Sequence, residues 1–217
     1  MREMLARLLA LLFPPRDDER LVRNLAPDAL LARLAPELVP LGDGFSASAL
    51  LSYHEPSVRA AIHEAKYRGT SEAFMLLAAP LAEYLGELLA DGIYKEAVLV
   101  AVPLGAKRRK ERGYNQVEEV ARRACSARGV EIPILVDTSL LMRTRETVSQ
   151  VSLPRALRAR NMRGAFRAAP ELLQNYSRRT TYLLVDDVLT TGATLLAASQ
   201  ALKAAGAEHI AAIALAH

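Results

Sequence analysis

Tyr182-Leu183-Leu184-Val185-Asp186-Asp187-Val188-Leu189-Thr190-Thr191-Gly192-Ala193-Thr194 is the stretch on which the reading of this chain turns. It passes from apolar residues to two acids, then to a Thr/Gly-rich loop, then to an apolar-periodic segment. A short apolar run of this kind fits a strand buried on both faces. From Thr194 to about Ala205, Leu195, Leu196, Ser199, Leu202 and Ala205 share a helical face, and Gly206 suits the helix end. The order is therefore strand, paired carboxylates, tight loop, helix. A helix start offers unpaired N–H groups and partial positive charge, which suit a phosphate; two carboxylates suit a diol. Gly192 allows positive φ or a close approach. Thr190, Thr191 and Thr194 add hydroxyls, and the amides of 191–194 can converge as a nest that includes Ala193. Adjacent aspartates also serve as plain helix caps, and Thr/Gly loops are common. The joint order is the specific signal.

Outward from this stretch, strand and helix patterns alternate. Ala97-Val98-Leu99-Val100-Ala101-Val102 reads as a second buried strand ending at Pro103, and 210–215 as a last one. Ile132 to Val136 is a further short strand. Helices are expected over 56–68, from Ser71 to about Leu89, and from Val117 to Cys125. Pro56 suits the start of the first and Gly69 its end. Alternation of this kind implies an α/β fold, a mostly parallel sheet flanked by helices. Residues 107–116, which include Lys107, Arg108, Arg112 and Asn115, read as a basic loop. Residues 139–167 are Arg-rich and polar, the signature of a functional or solvated loop.

Residues 1–52 read as short helices broken by Pro14, Pro15, Pro27, Pro36 and Pro40, with Gly42-Asp43-Gly44 as a dividing loop. We expect a helical segment over 1–50 and the main domain over 51–217. Glu3 and Arg7 interrupt the leading apolar residues, so Leu5, Leu8, Leu9 and Leu12 fit a helix face better than a signal peptide. No apolar run approaches the ~20 residues of a membrane span. Cys125 is the single cysteine among 217 residues, which excludes an intrachain disulfide or a cysteine-built zinc site and fits a cytoplasmic location. It suits the core of its helix. His63 lacks neighbours at metal-ligand spacing.

The net charge of +4 is uneven: residues 103–180 hold 17 Lys/Arg against 7 Asp/Glu. That middle third suits polyanions such as phosphates, pyrophosphate or nucleic acid; a solvated Arg-rich surface has the same composition. There is no G-x-x-x-x-G-K-[ST], G-x-G-x-x-G or H-E-x-x-H motif, which argues against P-loop, dinucleotide and zincin chemistries.

The 184–194 stretch resembles the phosphoribosyl-pyrophosphate (PRPP) motif of type I phosphoribosyltransferases. Within that superfamily the chain is similar to the ComF/GntX group, linked to competence and DNA uptake. Lys66-Tyr67-Arg68-Gly69, Val102-Pro103-Leu104 with Lys107-Arg108, Arg112-Gly113-Tyr114-Asn115-Gln116, and Arg143-Thr144-Arg145-Glu146-Thr147 running on through Gln150 carry the narrower likeness. It covers about residues 50–217. Members of the group usually begin with a four-cysteine zinc module, whereas residues 1–50 here contain no Cys or His.

The resemblance implies that PRPP binds with its 5′-phosphate at 190–194 and its ribose hydroxyls on Asp186 and Asp187, which stabilise charge as pyrophosphate leaves. Mg²⁺ would come with PRPP and touch those two acids at most. Pro103 and Leu104 would hold pyrophosphate, with Lys66, Lys107, Arg108, Arg112, Asn115, Arg145 and Gln150 as further candidates. The Arg-rich 143–161 segment would close over the site. The expected activity is pentosyl transfer to an unidentified nucleobase-like acceptor, in DNA uptake or nucleotide metabolism. The alternative is a non-catalytic protein that senses PRPP or binds single-stranded DNA. Phosphate contacts need only Lys/Arg, but stacking platforms need aromatics, and only Tyr114, Phe166 and Tyr176 lie in the basic third.

Overall fold

β7 (Thr181–Val188) is the middle of a six-stranded sheet, and its two faces are covered by different helices. A computed structural model describes residues 16–126, 134–145, 162 and 164–217. The described elements begin with α1 (Asp17–Asn24), a 3₁₀ turn (Leu31–Arg33), β1 (Glu37–Gly42) and β2 (Phe45–Leu51). They continue through α2 (Pro56–Tyr67), α3 (Ser71–Ala90), β3 (Ala97–Ala101), α4 (Ala106–Arg112) and α5 (Gln116–Cys125). Then come β4 (Leu135–Val136), β5 (Leu141–Arg143), β6 (Phe166–Ala168), α6 (Pro170–Leu173), β7, α7 (Ala193–Ala204) and β8 (His209–Ala216).

The strand order is β1-β2-β8-β7-β3-β4. All pairings are parallel except the β1–β2 hairpin. Side chains on a strand alternate between faces, and here both faces are buried. Leu183 and Val185 join Leu99 and Ala101 against Val58 and Ile62 of α2, Phe74, Leu77 and Leu81 of α3, and Val117 and Val120 of α5. Tyr182 and Leu184 join Val98 and Val100 on the other face, against Leu195, Ala198 and Leu202 of α7. The continuous apolar run of β7 follows from this double cover.

β5 and β6 pair antiparallel in a small separate sheet, and their Leu141, Phe166 and Ala168 pack with the α7 side. From β3 the chain leaves through α4 and α5 to β4; from β7 it leaves through α7 on the opposite face to β8. The β3–β7 boundary is thus a point where the winding reverses, and in open α/β sheets ligands bind at the C-terminal strand ends of such a point.

Two expectations need correction. Residues 1–52 are helical only in part, because Glu37–Leu51 forms a β-hairpin whose second strand pairs with β8. Gly42-Asp43-Gly44 is its turn, with all three residues at positive φ, and Pro40 sits in the edge strand, where a missing N–H is tolerated. The basic loop at 107–116 contains α4, since Lys, Arg and Glu favour helix, and Gly113 ends it at φ 80°. By length and composition alone Ser71–Ala90 is long and apolar enough to cross a membrane, but Glu72, Glu83 and Glu87 interrupt its apolar run. In this fold its Phe74, Leu77, Leu81 and Leu85 are buried in the core. The expected helix over the first 13 residues and the start of the 132–136 strand lie outside the described residues.

Gly69 joins α2 to α3 at φ +62°, and a Cβ there would lie 2.8 Å from the Tyr114 ring. Tyr114 cannot yield easily: its hydroxyl donates to Ala65 O at 2.9 Å and its ring packs edge-on against Phe74. Gly69→Ala is therefore expected to lower stability by about 1–3 kcal/mol, read as a reduced urea midpoint. A midpoint at or above that of the wild type contradicts this account of the α2–α3 junction.

Candidate functional site

A cavity of about 960 Å³ opens at the C-terminal ends of β3 and β7. Its walls come from six places in the sequence: residues 53–54 just past β2, 66–68 at the end of α2, the 102–117 segment, Arg143 of β5, the 186–194 segment and His217 just past β8.

Asp186 and Asp187 form its acidic floor. Asp186 accepts a hydrogen bond from the Asp187 amide at 2.9 Å. Burial, and then the charge of Asp187, push its carboxyl well above the ordinary carboxylate range; Lys66 and Arg143 act in the opposite sense. Asp187 is held from two sides. Lys66 Nζ lies 3.0 Å from its Oδ1, with the Lys66 and Asp187 side chains 22% and 14% exposed. Gln116 Nε2 donates to its Oδ2 through a short hydrogen bond.

The loop after β7 turns at Gly192, φ 71°, and α7 starts at Ala193 with no side chain capping it. Its first-turn amides are therefore available to an anion. Thr190 and Thr194 line the cavity. The Thr191 hydroxyl is buried and has no hydrogen-bond partner among the described residues. A side chain at Gly192 would collide with Leu41 of β1, so the hairpin and the loop fit closely together.

Across the cavity, Pro103 and Leu104 follow β3, and Arg108 and Arg112 project from α4. Arg112 stacks 5.3 Å from the Tyr67 ring centroid and donates to Gln116 Oε1 at 2.7 Å. Arg143 reaches the wall from β5, over the Phe166 ring. Two anion-friendly ends thus flank a pair of carboxylates. Such a crevice can hold a sugar with phosphate at one end and a second phosphate group at the other.

Of the residues singled out from sequence, Lys66, Pro103, Leu104, Arg108, Arg112, Asp186, Asp187, Thr190 and Thr194 line this one cavity. Thr191, Gly192 and Ala193 shape the loop behind it. Lys107 does not line it; this exposed side chain lies 4.0 Å from Glu111. Asn115 is buried and structural: Nδ2 donates to Val102 O at 3.0 Å and Oδ1 caps α5 by accepting from Val117 N. Arg145 is exposed and outside the lining. Gln150, and the 143–161 segment beyond Arg145, lie outside the described residues.

Several wall residues were not anticipated as site residues: Tyr67, Arg68, Gln116, Tyr53, His54 and His217. Tyr53 and His217 meet because β2 and β8 are parallel neighbours: Tyr53 N donates to His217 O at 2.8 Å. The His217 ring Nδ1 lies 2.9 Å from Leu189 O. Tyr67, Arg68 and Gln116 stood within recognisable motifs; the histidines had no sequence signal of their own. Among the described residues no three carboxylates, histidines or cysteines gather to hold a metal. The acidic pair offers hard oxygens, which fit Mg²⁺ as an ion shared with a phosphorylated ligand.

The sequence matches the phosphoribosyl transferase domain family over residues 75–217. It is 30% identical over 158 residues to the DNA utilization protein YhgH of Salmonella typhimurium, covering 72% of this chain and 66% of that one. It is 32% identical over 155 residues to the Escherichia coli protein of the same name, covering 71% and 64%. Competence protein F of Haemophilus influenzae is 35% identical over 112 residues, covering 52% and 46%. The match thus spans just under two thirds of the first of these relatives.

Because the folded state holds the Asp186 proton more tightly than the unfolded chain, the residue costs stability as pH rises through the raised pKa. Asp186→Asn keeps an oxygen for the Asp187 amide and removes the buried charge. The variant is expected to stabilise the ligand-free protein by about 1 kcal/mol near neutral to mildly alkaline pH. The gain should shrink to nothing at acid pH, below the ordinary carboxylate range. Urea midpoints across that range check it; a variant less stable at neutral pH contradicts the assignment.

Proposed function

We propose, for a chain that belongs to the ComF-like branch of the phosphoribosyl transferase family, that the crevice binds PRPP and transfers its phosphoribosyl group. One observation carries this reading. The β7 carboxylates, the uncapped α7 start and the cations of α2 and α4 all face a single cavity. The 5′-phosphate sits on the α7 amides with the hydroxyls of Thr190 and Thr194. The ribose hydroxyls donate to Asp186 and Asp187. Pyrophosphate lies toward Pro103, Leu104, Arg108 and Arg112. Mg²⁺, when bound, would neutralise phosphate charge as a hard cation.

This chain's own residues then act by position and charge. The bond from ribose C1 to pyrophosphate breaks as the acceptor approaches, and positive charge grows on the ring. Two carboxylates beside that ring favour the change, an electrostatic contribution. Burial and the charge of Asp187 raise the affinity of Asp186 for a proton, and positive charge developing on the ring favours its ionised form. The acceptor is a nucleobase-like heterocycle. The names of the relatives suggest a role in DNA uptake or utilization.

A second reading has its own observation: Lys107, Arg109 and Lys110 crowd the outer face of α4, away from the cavity. They fit single-stranded DNA phosphates. Glu111 and Glu118, however, already sit beside Lys107 and Arg109. Binding through several phosphates would weaken steeply with salt.

A screen of bases with PRPP and Mg²⁺ is expected to give acceptor-dependent pyrophosphate release. The double variant Asp186→Asn/Asp187→Asn should lose at least about 10²-fold of that rate and bind PRPP more weakly. Unchanged PRPP affinity in the double variant, by calorimetry, rules out the assigned role of the acids. Salt-sensitive oligonucleotide binding without any pyrophosphate release would favour the second reading.

A further inference from the structure

Gln116 is the first residue of α5, 4% exposed, and it joins two parts of the crevice that the backbone keeps separate. Its Oε1 accepts from Arg112 at 2.7 Å, and its Nε2 donates to Asp187 Oδ2. Its place is fixed by the neighbouring Asn115, which caps α5 and bonds the Val102 carbonyl. Arg112 is steadied by the Tyr67 ring and lines the cavity at the end suited to a second phosphate group. Asp187 is little exposed, and each of its oxygens already has a donor, Lys66 on one and Gln116 on the other.

This chain of contacts has a direction. A guanidinium donating to an amide oxygen strengthens the amide N–H as a donor, since hydrogen bonds in series polarise one another. While Arg112 holds Gln116, Gln116 holds Asp187, and a diol must compete for the carboxylate. An anion at the α4 end forms charge-assisted bonds with Arg112, which are stronger than its bond to a neutral amide. Drawing Arg112 off weakens Gln116 as a donor and gives Asp187 lone pairs to the diol.

We propose that Gln116 is a positioning residue coupling the two ends of the crevice, so that an anion captured by Arg112 releases Asp187 for the sugar. The proposal rests on the phosphoribosyl reading above and adds to it a sign and a residue. Pyrophosphate and ribose 5-phosphate would repel each other by charge alone; through Gln116 each promotes the other. By linkage the factor is the same in both directions.

The test is calorimetry on the full chain at fixed Mg²⁺, titrating ribose 5-phosphate with and without saturating pyrophosphate, and then the reverse. Pyrophosphate is expected to tighten ribose 5-phosphate binding by about fivefold or more. In Gln116→Met, which keeps the length and removes both hydrogen bonds, each ligand should still bind and the tightening should vanish or reverse. Independent or antagonistic binding in the wild type overturns the proposal, whether or not the variant folds. Undiminished coupling in a folded Gln116→Met does the same. Binding of both ligands without coupling overturns the relay alone; no binding of either removes the phosphoribosyl reading and the relay with it.

Discussion

The ion pair between Lys66 and Asp187 is the contact on which the crevice depends. It ties the last turn of α2 to the end of β7, and Gln116 extends the tie to α5 and, through Arg112, to α4. Two adjacent carboxylates at a strand end would repel each other in a medium that screens poorly. The fold answers by bringing one cation directly onto Asp187 and leaving Asp186 to respond through its proton affinity. Positive groups therefore have to approach from several elements. That requirement explains why the cavity draws its walls from segments far apart in the sequence.

Much of this was legible in the sequence where the physics is local. β3, β7 and β8 declare themselves because a strand covered on both faces must be apolar at every position, as in Val98-Leu99-Val100 and Leu183-Leu184-Val185. The ends of α2 are marked by Pro56 and Gly69, and the loop before α7 by its Thr/Gly pattern. The hairpin was missed for a physical reason. Pro40 breaks the pattern of an interior strand, and only the tertiary position at the sheet edge makes it acceptable. α4 was missed because a run of Lys and Arg looks solvated in either state; its helix propensity is read only with Gly113 as a stop.

The candidate site divides in the same way. The acids, the 190–194 loop, Lys66 and the 103–112 segment belong to motifs whose chemistry is written in residue type and order, and the fold brings them to one cavity. Asn115 sits in such a motif for another reason, as the clamp that seats α5 against the end of β3. Lys107 shares the motif's charge but falls on the outer face of α4, a matter of helical phase that composition cannot convey. The bonds of Gln116 to Asp187 and of His217 to Leu189 form only through long-range packing. The names of the YhgH relatives concern DNA utilization, whereas the crevice is lined by carboxylates, hydroxyls and cations suited to small phosphorylated ligands. The two agree if the acceptor comes from nucleic-acid metabolism.

The central claim is that this crevice recognises PRPP as one ligand, and thermal unfolding of the wild-type chain with Mg²⁺ measures it most directly. Binding to the folded state alone raises the unfolding temperature with ligand concentration by mass action. PRPP should raise it progressively toward the dependence expected for one site per chain, and more than ribose 5-phosphate or pyrophosphate does at equal concentration. An unfolding temperature unmoved by PRPP, or moved no further than by pyrophosphate alone, would contradict the account.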